Sequence, residues 1–491
     1  KAVAQQQKRI TGKVVDKNGE PVIGANVVVK GTTNGTITDF DGNFSLEIPA
    51  NAQLSISYIG YVAQEVSVNN RTQLSITLGE DSQALDEVVV VGYGTMKKRD
   101  LSGAVGAAKG SDLTVSKTLQ LSTALQGAVA GLTVSPSTGP GATADVKVRG
   151  ITTIGDSSPL VIVDGVPGDL NQVNPNDVEN LTVLKDAASA SIYGSRAASG
   201  VILITTKRAK ESDLSLNYTF EYGWSKPTTL FKYVDAPHFI QMQNEVRYND
   251  NPKGGWYQAF TEDQQNNWMT YNQTDPDHYP NTNWDDYLNS NAPRQSHLIS
   301  IAGGGKKVST KVSFSYDKED GLDRYRTYER FMIRANNDIK INQFISASLD
   351  VAFRRVKKES PNAGSFDGRN TRPVNAAIWS DGRYASGDVL GNPLALIEQG
   401  GTNSAWYNRI QGKASIDITP FDGLKLSAVI APTYNFDKTK RFVNKVPYTY
   451  YDDPNTIVGY YPWGWETSKL TESRNDDYNY TVQFIGNYQK S

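Results

Sequence analysis

Leu214, Leu216, Tyr218, Phe220, Tyr222 and Trp224 alternate with Ser215, Asn217, Thr219, Glu221 and Gly223. Period two predicts a β-strand with one apolar face. That face is long, and its aromatics gather toward one end, as at a membrane interface. The same dyad repeats at Val308, Val312, Phe314 and Tyr316, and again at Ile345, Ala347, Leu349, Val351 and Phe353. Further copies run through 410–418, 424–434 and 478–488, with weaker ones near Ile299 and over 331–341. Eight strands are expected, joined by connections at 225–294, 303–307, 318–329, 342–343, 356–407, 419–423 and 436–477. Long and short connections alternate, which is the signature of an outer-membrane barrel. Structureless loops this long are uncommon in compact domains. Eight strands leave no room for the mixed domain ahead of them, whereas plugged outer-membrane barrels use about 22. Residues 210–491 are therefore expected to be the first part of a 22-stranded transmembrane antiparallel barrel.

The chain ahead of the barrel reads differently. Residues 9–79 carry short alternating runs: Ile10, Val14 and Val15; 25–30; 44–48; 54–58; 74–78. Turns at Asp16-Lys17-Asn18-Gly19-Glu20-Pro21, 31–35 and 41–43 separate them, a spacing that predicts a β-sandwich. Asp39-Phe40-Asp41-Gly42 has a misplaced Gly and no bidentate Glu for a calcium loop, so a turn is expected. Residues 95–209 are mixed α/β. Strands are expected at 160–163, stopped by Asp164-Gly165, and at 181–184 and 201–206. Asn176-Asp177-Val178-Glu179 is expected to cap a short helix, and 185–194 to form a small-residue helix stopped by Gly194.

Between these regions, in 80–94, lies Asp86-Glu87-Val88-Val89-Val90-Val91-Gly92-Tyr93-Gly94. Four valines favour a strand. With acidic residues before and a flexible Gly-Tyr-Gly after, the segment suits addition to another protein's sheet edge. An ordinary core strand is the other reading of so short an apolar run.

Composition narrows the class. The 491 residues include 26 Tyr, 42 Gly and four Met, a strand-like balance. A formal net charge of −2 gives no sign of nucleic-acid binding. No Cys is present, which excludes disulfides, Cys-ligated metals and Cys nucleophiles in these residues. No stretch of 18 apolar residues exists, but a β-barrel needs none. Ala2-Val3-Ala4 before Gln5 has the form of a signal-peptidase site, so residues 1–4 are expected to end an export signal; an Ala-rich start is the plain alternative. His238, His278 and His297 are too scattered for a metal motif. Gly303-Gly304-Gly305 lacks the context of a phosphate loop and reads as a tight turn. No carboxylate pair stands out as catalytic, so no enzyme, metal or cofactor is expected.

Of the eight Trp, only Trp224 falls in an expected strand. Trp256, Trp268, Trp284, Trp379, Trp406, Trp463 and Trp465 fall in the expected long loops, with Tyr257, Tyr407 and Tyr461. Exposed aromatic faces suit sugar rings, so Trp256, Trp284, Trp379, Trp406, Trp463 and Trp465 are candidate substrate residues. Packing within large loops is the other use of such side chains.

These pieces resemble a known family. Asp86-Glu87-Val88-Val89-Val90-Val91-Gly92-Tyr93-Gly94-Thr95 followed by Leu101-Ser102-Gly103-Ala104-Val105 is similar to the SusC-like branch of the TonB-dependent transporters. So are Pro159-Leu160-Val161-Ile162-Val163-Asp164-Gly165-Val166-Pro167 and Leu184-Lys185-Asp186-Ala187-Ala188-Ser189-Ala190-Ser191-Ile192-Tyr193-Gly194-Ser195-Arg196, running on to Lys207. Residues 9–79 resemble that family's carboxypeptidase-regulatory-like extension, through Gly19-Glu20-Pro21-Val22-Ile23-Gly24-Ala25 and Gly35-Thr36-Ile37-Thr38-Asp39. The resemblance implies a TonB box at Asp86, Glu87, Val88, Val89, Val90 and Val91, a plug over 95–209, and a multi-pass barrel in outer-membrane lipid. It implies TonB-dependent import of an oligosaccharide, or alternatively of oligopeptides, under a SusD-like lipoprotein lid. It also implies a dimer of transporter–lid pairs. Two other classes stay open on the residues alone: a surface adhesin, which would need loops but no box, and a carboxypeptidase-associated enzyme.

Overall fold

The computed structural model describes residues 7–17, 19–30, 32, 34–49, 52–58, 61, 63–69, 71–79, 88–91, 94–97, 105–150, 157–186, 190–228, 232–288, 291–362, 371–386, 392–461 and 467–489. They fall into two units, Lys1–Ala104 and Val105–Ser491.

In the first unit, β1 (Gln7–Val15), β2 (Asn26–Val29), β3 (Gly35–Ile37), β4 (Asn43–Pro49), β5 (Gln53–Ser57), β6 (Gln64–Ser67) and β7 (Gln73–Thr77) form two sheets, β4-β1-β7 and β3-β2-β5-β6. Alternation drives this arrangement. Phe44, Leu46 and Ile48 point one way from β4, and meet Ile10, Val14, Val27, Leu54 and Ile56 in one core. Each such side chain contributes about 1.5–3 kcal/mol by leaving water. Gly12 allows the close packing, since a Cβ there would meet the Phe44 ring at 2.5 Å. The 39–43 segment is a turn, as expected: one Asp39 carboxylate oxygen accepts from the Asp41 and Asn43 backbone N–H groups at 3.0 and 2.7 Å. Later in this unit β8 (Val88–Val91) pairs with β9 (Gly94–Lys97) as an antiparallel two-stranded sheet.

The second unit opens with a mixed domain. Its strands are β10 (Val105–Lys109), β11 (Leu132–Pro136), β12 (Ala144–Val148), β13 (Leu160–Val163), β14 (Val166–Pro167), β15 (Val178–Leu184) and β16 (Val201–Thr206). Five of them make a sheet in the order β10-β15-β16-β13-β14, and β11-β12 forms a separate hairpin. Leu113, Leu121, Leu125, Val173, Leu181 and Ile202 fill the core against it. Asp164 and Gly165 both adopt positive φ, 49° and 86°, as a tight two-residue hairpin requires. Two helix expectations need correction. Asn174, not Asn176, caps a short 3-10 turn at Pro175–Asp177, and Val178 already starts β15. Of the expected 185–194 helix, residues 187–189 lie outside the described residues. Ser191–Ala197 is a 3-10 segment, broken where Gly194 turns to φ 68°.

The last eight long strands are β17 (Ser212–Ser225), β18 (Ala292–Gly304), β19 (Val308–Asp320), β20 (Thr327–Lys340), β21 (Ile345–Pro361), β22 (Thr402–Phe421), β23 (Leu424–Val443) and β26 (Lys469–Tyr488). They form one antiparallel sheet in sequence order, not a closed barrel. The short hairpin of β24 (Val446–Thr449) and β25 (Ile457–Tyr461) sits in the β23–β26 connection. Connections at one end are 305–307, 341–344 and 422–423; at the other they are 226–291, 321–326, 362–401 and 444–468. Tyr218, Phe220, Ile299, Phe314, Ile333, Phe353, Ile410, Tyr434 and Tyr478 share one face across the ladder, with Tyr434 stacked on Tyr478. That face is apolar and exposed; Phe484 on it is 84% exposed.

The long connections are not structureless. The first carries helices Ala236–Asp250 and Glu262–Thr274, and the third carries Pro393–Gln399. Asp235 caps the first helix, and Thr261 with Gln264 forms a capping box on the second. Asn244 is fully buried and holds Phe260 by both its backbone groups, locking the two helices together.

Candidate functional site: the polar seam and the 86–91 segment

Opposite the apolar face, the sheet's inner face is polar and receives the mixed domain. Lys311 donates to Asp177 at 2.6 Å, and Ser313 donates to the other oxygen of the same carboxylate at 2.6 Å. Asn336 donates to Thr206 Oγ1 and to the Lys207 carbonyl. Arg208 pairs with Asp338 at 2.8 Å and also with Asp350. The β13–β14 hairpin with its 164–165 turn is held by three wall strands, β20, β22 and β26. Arg334 lies 3.5 Å from the Asp164 carboxylate, and Lys413 donates to the Asp164 carbonyl. Gln411 and Gln483 donate to the carbonyls of Pro167 and Gly165. The same carboxylate of Asp164 accepts from Thr206, so the turn is fixed from both sides.

Arg330 is the largest fully buried side chain of the seam, at 1% exposure. Asp317 accepts its charge, and Gln120 and the Leu119 carbonyl take its remaining N–H groups. Gln120 in turn donates to the Tyr328 hydroxyl. Gly141 lies against that ring at φ 63°, where a Cβ would fall 1.9 Å from it, and its N–H donates to Glu319. Val166, Val429 and Ala431 make a small apolar contact within the seam. A cavity of about 20 Å³ beside it, lined by Val163, Val166 and Val351 with Asp164, Arg334 and Lys413 among its polar groups, has room for about one water.

A seam of this kind binds and can part. Each hydrogen bond contributes about 0.5–1.5 kcal/mol net, because water offers the same partners when it breaks. Many together hold the domain firmly. Separation wets polar groups and leaves the apolar core of the plug intact.

The 86–91 segment presents different chemistry. Asp86 and Glu87 lie outside the described residues. Val88, Val89, Val90 and Val91 form β8, with Val89 opposite Met96 and Val90 opposite Thr95. In a two-stranded sheet each strand keeps one edge free for a further strand, and an isolated hairpin is marginally stable in water.

The aromatic candidates separate on inspection. Trp463 and Trp465 lie outside the described residues. Trp284 is 4% exposed, packs on Ala377 and Leu394, and donates to the Arg372 carbonyl: it is core of the loop structure, not a surface platform. Trp268 is buried likewise against Phe260 and Tyr279. Trp406 and Tyr407 belong to β22, which begins at Thr402, and not to a loop. Trp406 is paired between Lys357 and Lys438 on the outer, lipid-side face, with Lys438 Nζ 5.8 Å from its ring. Trp256 is half-buried and donates to Gln265, and Trp379 is half-buried with its ring edge-on to Tyr451. His238 and His278 pair with Asp235 and Asp275 three residues before them, and His297 sits in β18.

The seam residues went unrecognised in the sequence. Their signal was present: Lys311, Ser313, Ser315 and Asp317 occupy alternate positions of a strand whose other positions are Val312, Phe314 and Tyr316. Charges on the non-lipid side of a spanning strand need a partner or water.

The sheet with the mixed domain packed on its polar face fits a plugged receptor of the TonB-dependent class, and the comparisons agree. A family model described as TonB-dependent Receptor Plug Domain matches residues 97–201. One described as CarboxypepD_reg-like domain matches 10–90. The TonB-dependent receptor SusC of Bacteroides thetaiotaomicron is 33% identical over 98% of this chain and 49% of its own length. The TonB-dependent receptor P26 of Formosa agariphila is 32% identical over 89% of this chain and 44% of its own. A solved structure of the RagAB peptide importer in its open-open state superposes with a TM-score of 0.65, at 25% identity, over 82% of this chain and 47% of the other. The chain belongs to the SusC-like TonB-dependent receptors, which are not enzymes, and spans about half the length of the curated relatives it matches.

Proposed function

We propose that this protein imports an oligomeric nutrient across the outer membrane, with TonB supplying the work through Asp86, Glu87, Val88, Val89, Val90 and Val91. The carrying observation is the polar seam between plug and wall. The outer membrane has no ATP, and a plug held by so many bonds does not leave by thermal motion alone. Tension applied through a strand added to β8 can remodel the plug, because the seam exchanges protein partners for water. An adhesin has no use for a releasable plug.

A SusD-like lipoprotein closes the long-connection end in this reading, and two transporter–lid pairs associate. The cargo is an oligosaccharide, with Trp256 and Trp379 as the half-buried aromatic platforms on the described loops. An oligopeptide is the second reading, favoured by the likeness to a structure described as a peptide importer.

Disulfide capture tests the coupling. No Cys occurs in these 491 residues, so Val90→Cys in the full-length protein introduces a defined site. A periplasmic TonB domain carrying one cysteine is expected to cross-link at Val90→Cys and not at Ser67→Cys in the exposed part of β6. Equal capture at both sites, or at neither, contradicts TonB pairing at this segment.

A further inference from the structure

We propose that the inner wall at the edge of the plug binds an anionic group of the cargo, a carboxylate or a sulfate, through Arg354 and Arg409 with Lys358 above them. The proposal rests on the import reading and adds the charge of the imported molecule to it.

Arg354 in β21 and Arg409 in β22 are direct cross-strand partners. Both point to the inner face: Arg354 reaches the plug residue Asp169 at 3.3 Å, and Lys413 and Gln411, on the same face of β22 as Arg409, donate to the Asp164 and Pro167 carbonyls of the β13–β14 hairpin. Two like charges directly opposite one another destabilise a sheet, so the pair needs negative charge nearby. Asp169 supplies one, beside Arg354. Among the described residues no carboxylate lies within 4 Å of Arg409, whose Nε is buried with no hydrogen-bond partner, as is the Nε of Arg354. Asp477, the other acid whose field reaches Arg409, is engaged by Asn435 and Asn479. Arg330 on the same wall shows the contrast, with its charge met by Asp317 and its other N–H groups by Gln120 and Leu119.

Lys358 adds a third positive charge. It is exposed on the inner face, its Nζ 5.9 Å from the Tyr328 ring, and four residues of strand place it about 13 Å beyond Arg354 toward the long connections. Tyr407, 39% exposed, lies in the same inner row of β22 between the levels of Arg354 and Lys358. Three cations therefore line this stretch of wall, and the nearby carboxylates of Asp169, Asp437 and Asp477 are each already held by other groups. Guanidinium forks match planar carboxylate and sulfate oxygens two at a time, which makes an acidic oligomer the fitting cargo.

The test is calorimetric titration of the full-length transporter with its lid. The ligands are oligogalacturonates, sulfated oligosaccharides, acidic oligopeptides, and neutral oligosaccharides and peptides of matched length. At least one anionic series is expected to bind tenfold tighter than its neutral match at low salt, with the gap closing as salt rises. The series that binds identifies the backbone carrying the charge. Arg409→Gln is expected to weaken anionic binding about ten- to a hundred-fold and neutral binding less than twofold. Lys358→Gln, which touches no plug residue, is expected to give a smaller loss of the same sign, and Arg409→Lys to keep part of the affinity. Neutral ligands binding as tightly as anionic ones, or anionic affinity unchanged in both Gln variants, overturns the site. Uptake assays on the same variants separate the two readings. Box-dependent uptake of a neutral cargo with no effect of Arg409→Gln removes the anion site and keeps import. Charge-selective binding without box-dependent uptake does the reverse.

Discussion

Lys311 of the wall and Asp177 of the plug meet at 2.6 Å, 134 residues apart in sequence, with both side chains nearly buried. Ser313 takes the second carboxylate oxygen, so the pair is hydrogen-bonded as well as charged. Breaking it from one side strands the other charge. Lys311→Met is expected to destabilise the plug by about 3–5 kcal/mol, read as earlier proteolysis of the plug while the barrel stays resistant. Lys311→Met with Asp177→Asn is expected to recover most of the loss. A double variant as labile as the single one contradicts a pairwise role.

Adjacent residues of β26 face opposite solvents. Val482 is 59% exposed on the lipid-side face, and Gln483 donates to the Gly165 carbonyl on the inner face. Val482→Arg is expected to cost about 2–4 kcal/mol if it sits near the bilayer midplane, with poor insertion into lipid. Gln483→Ala removes one hydrogen bond, about 1 kcal/mol, and leaves insertion intact. Denaturant titration of both variants in lipid checks the order.

The long loops carry a pH-dependent cap. The His238 backbone N–H donates to Asp235 and holds its carboxyl below the usual aspartate range. A depressed folded pKa contributes stability that is complete above the unfolded value, about 3.9, and is lost as pH falls through the lower folded one. Asp235→Ala is expected to cost the helix about 1 kcal/mol at neutral pH, and nothing once the cap is protonated. Hydrogen exchange over Ala236–Asp250 at neutral and strongly acidic pH reads both limits.

The spanning strands and the sandwich were legible because one face of each is apolar, so period two survives in the sequence. The loop helices were not. Ala236–Asp250 buries Ala236, Ile240 and Asn244, and a polar residue at the third position hides the helical period. Trp406 was misplaced because β22 extends past its apolar span into polar sequence, with Asn403 and Ser404 continuing the ladder against β21. The seam could not be read at all as pairs. A lysine at 311 gains meaning only when folding brings it to an aspartate at 177, and Arg330 only when Gln120 and Leu119 arrive beside Asp317. Trp284 illustrates the limit of composition: an aromatic in a long connection is buried when that connection builds its own core.

The proposed energised import turns on Val89, which lies opposite Met96 in the β8–β9 pair. Proline there removes a ladder donor and resists strand pairing. The decisive measurement is cargo binding and cellular uptake, side by side, for Val89→Pro and the unmodified full-length protein. Uptake at background with binding unchanged is the predicted result. Uptake at the unmodified rate contradicts TonB-driven transport through this segment.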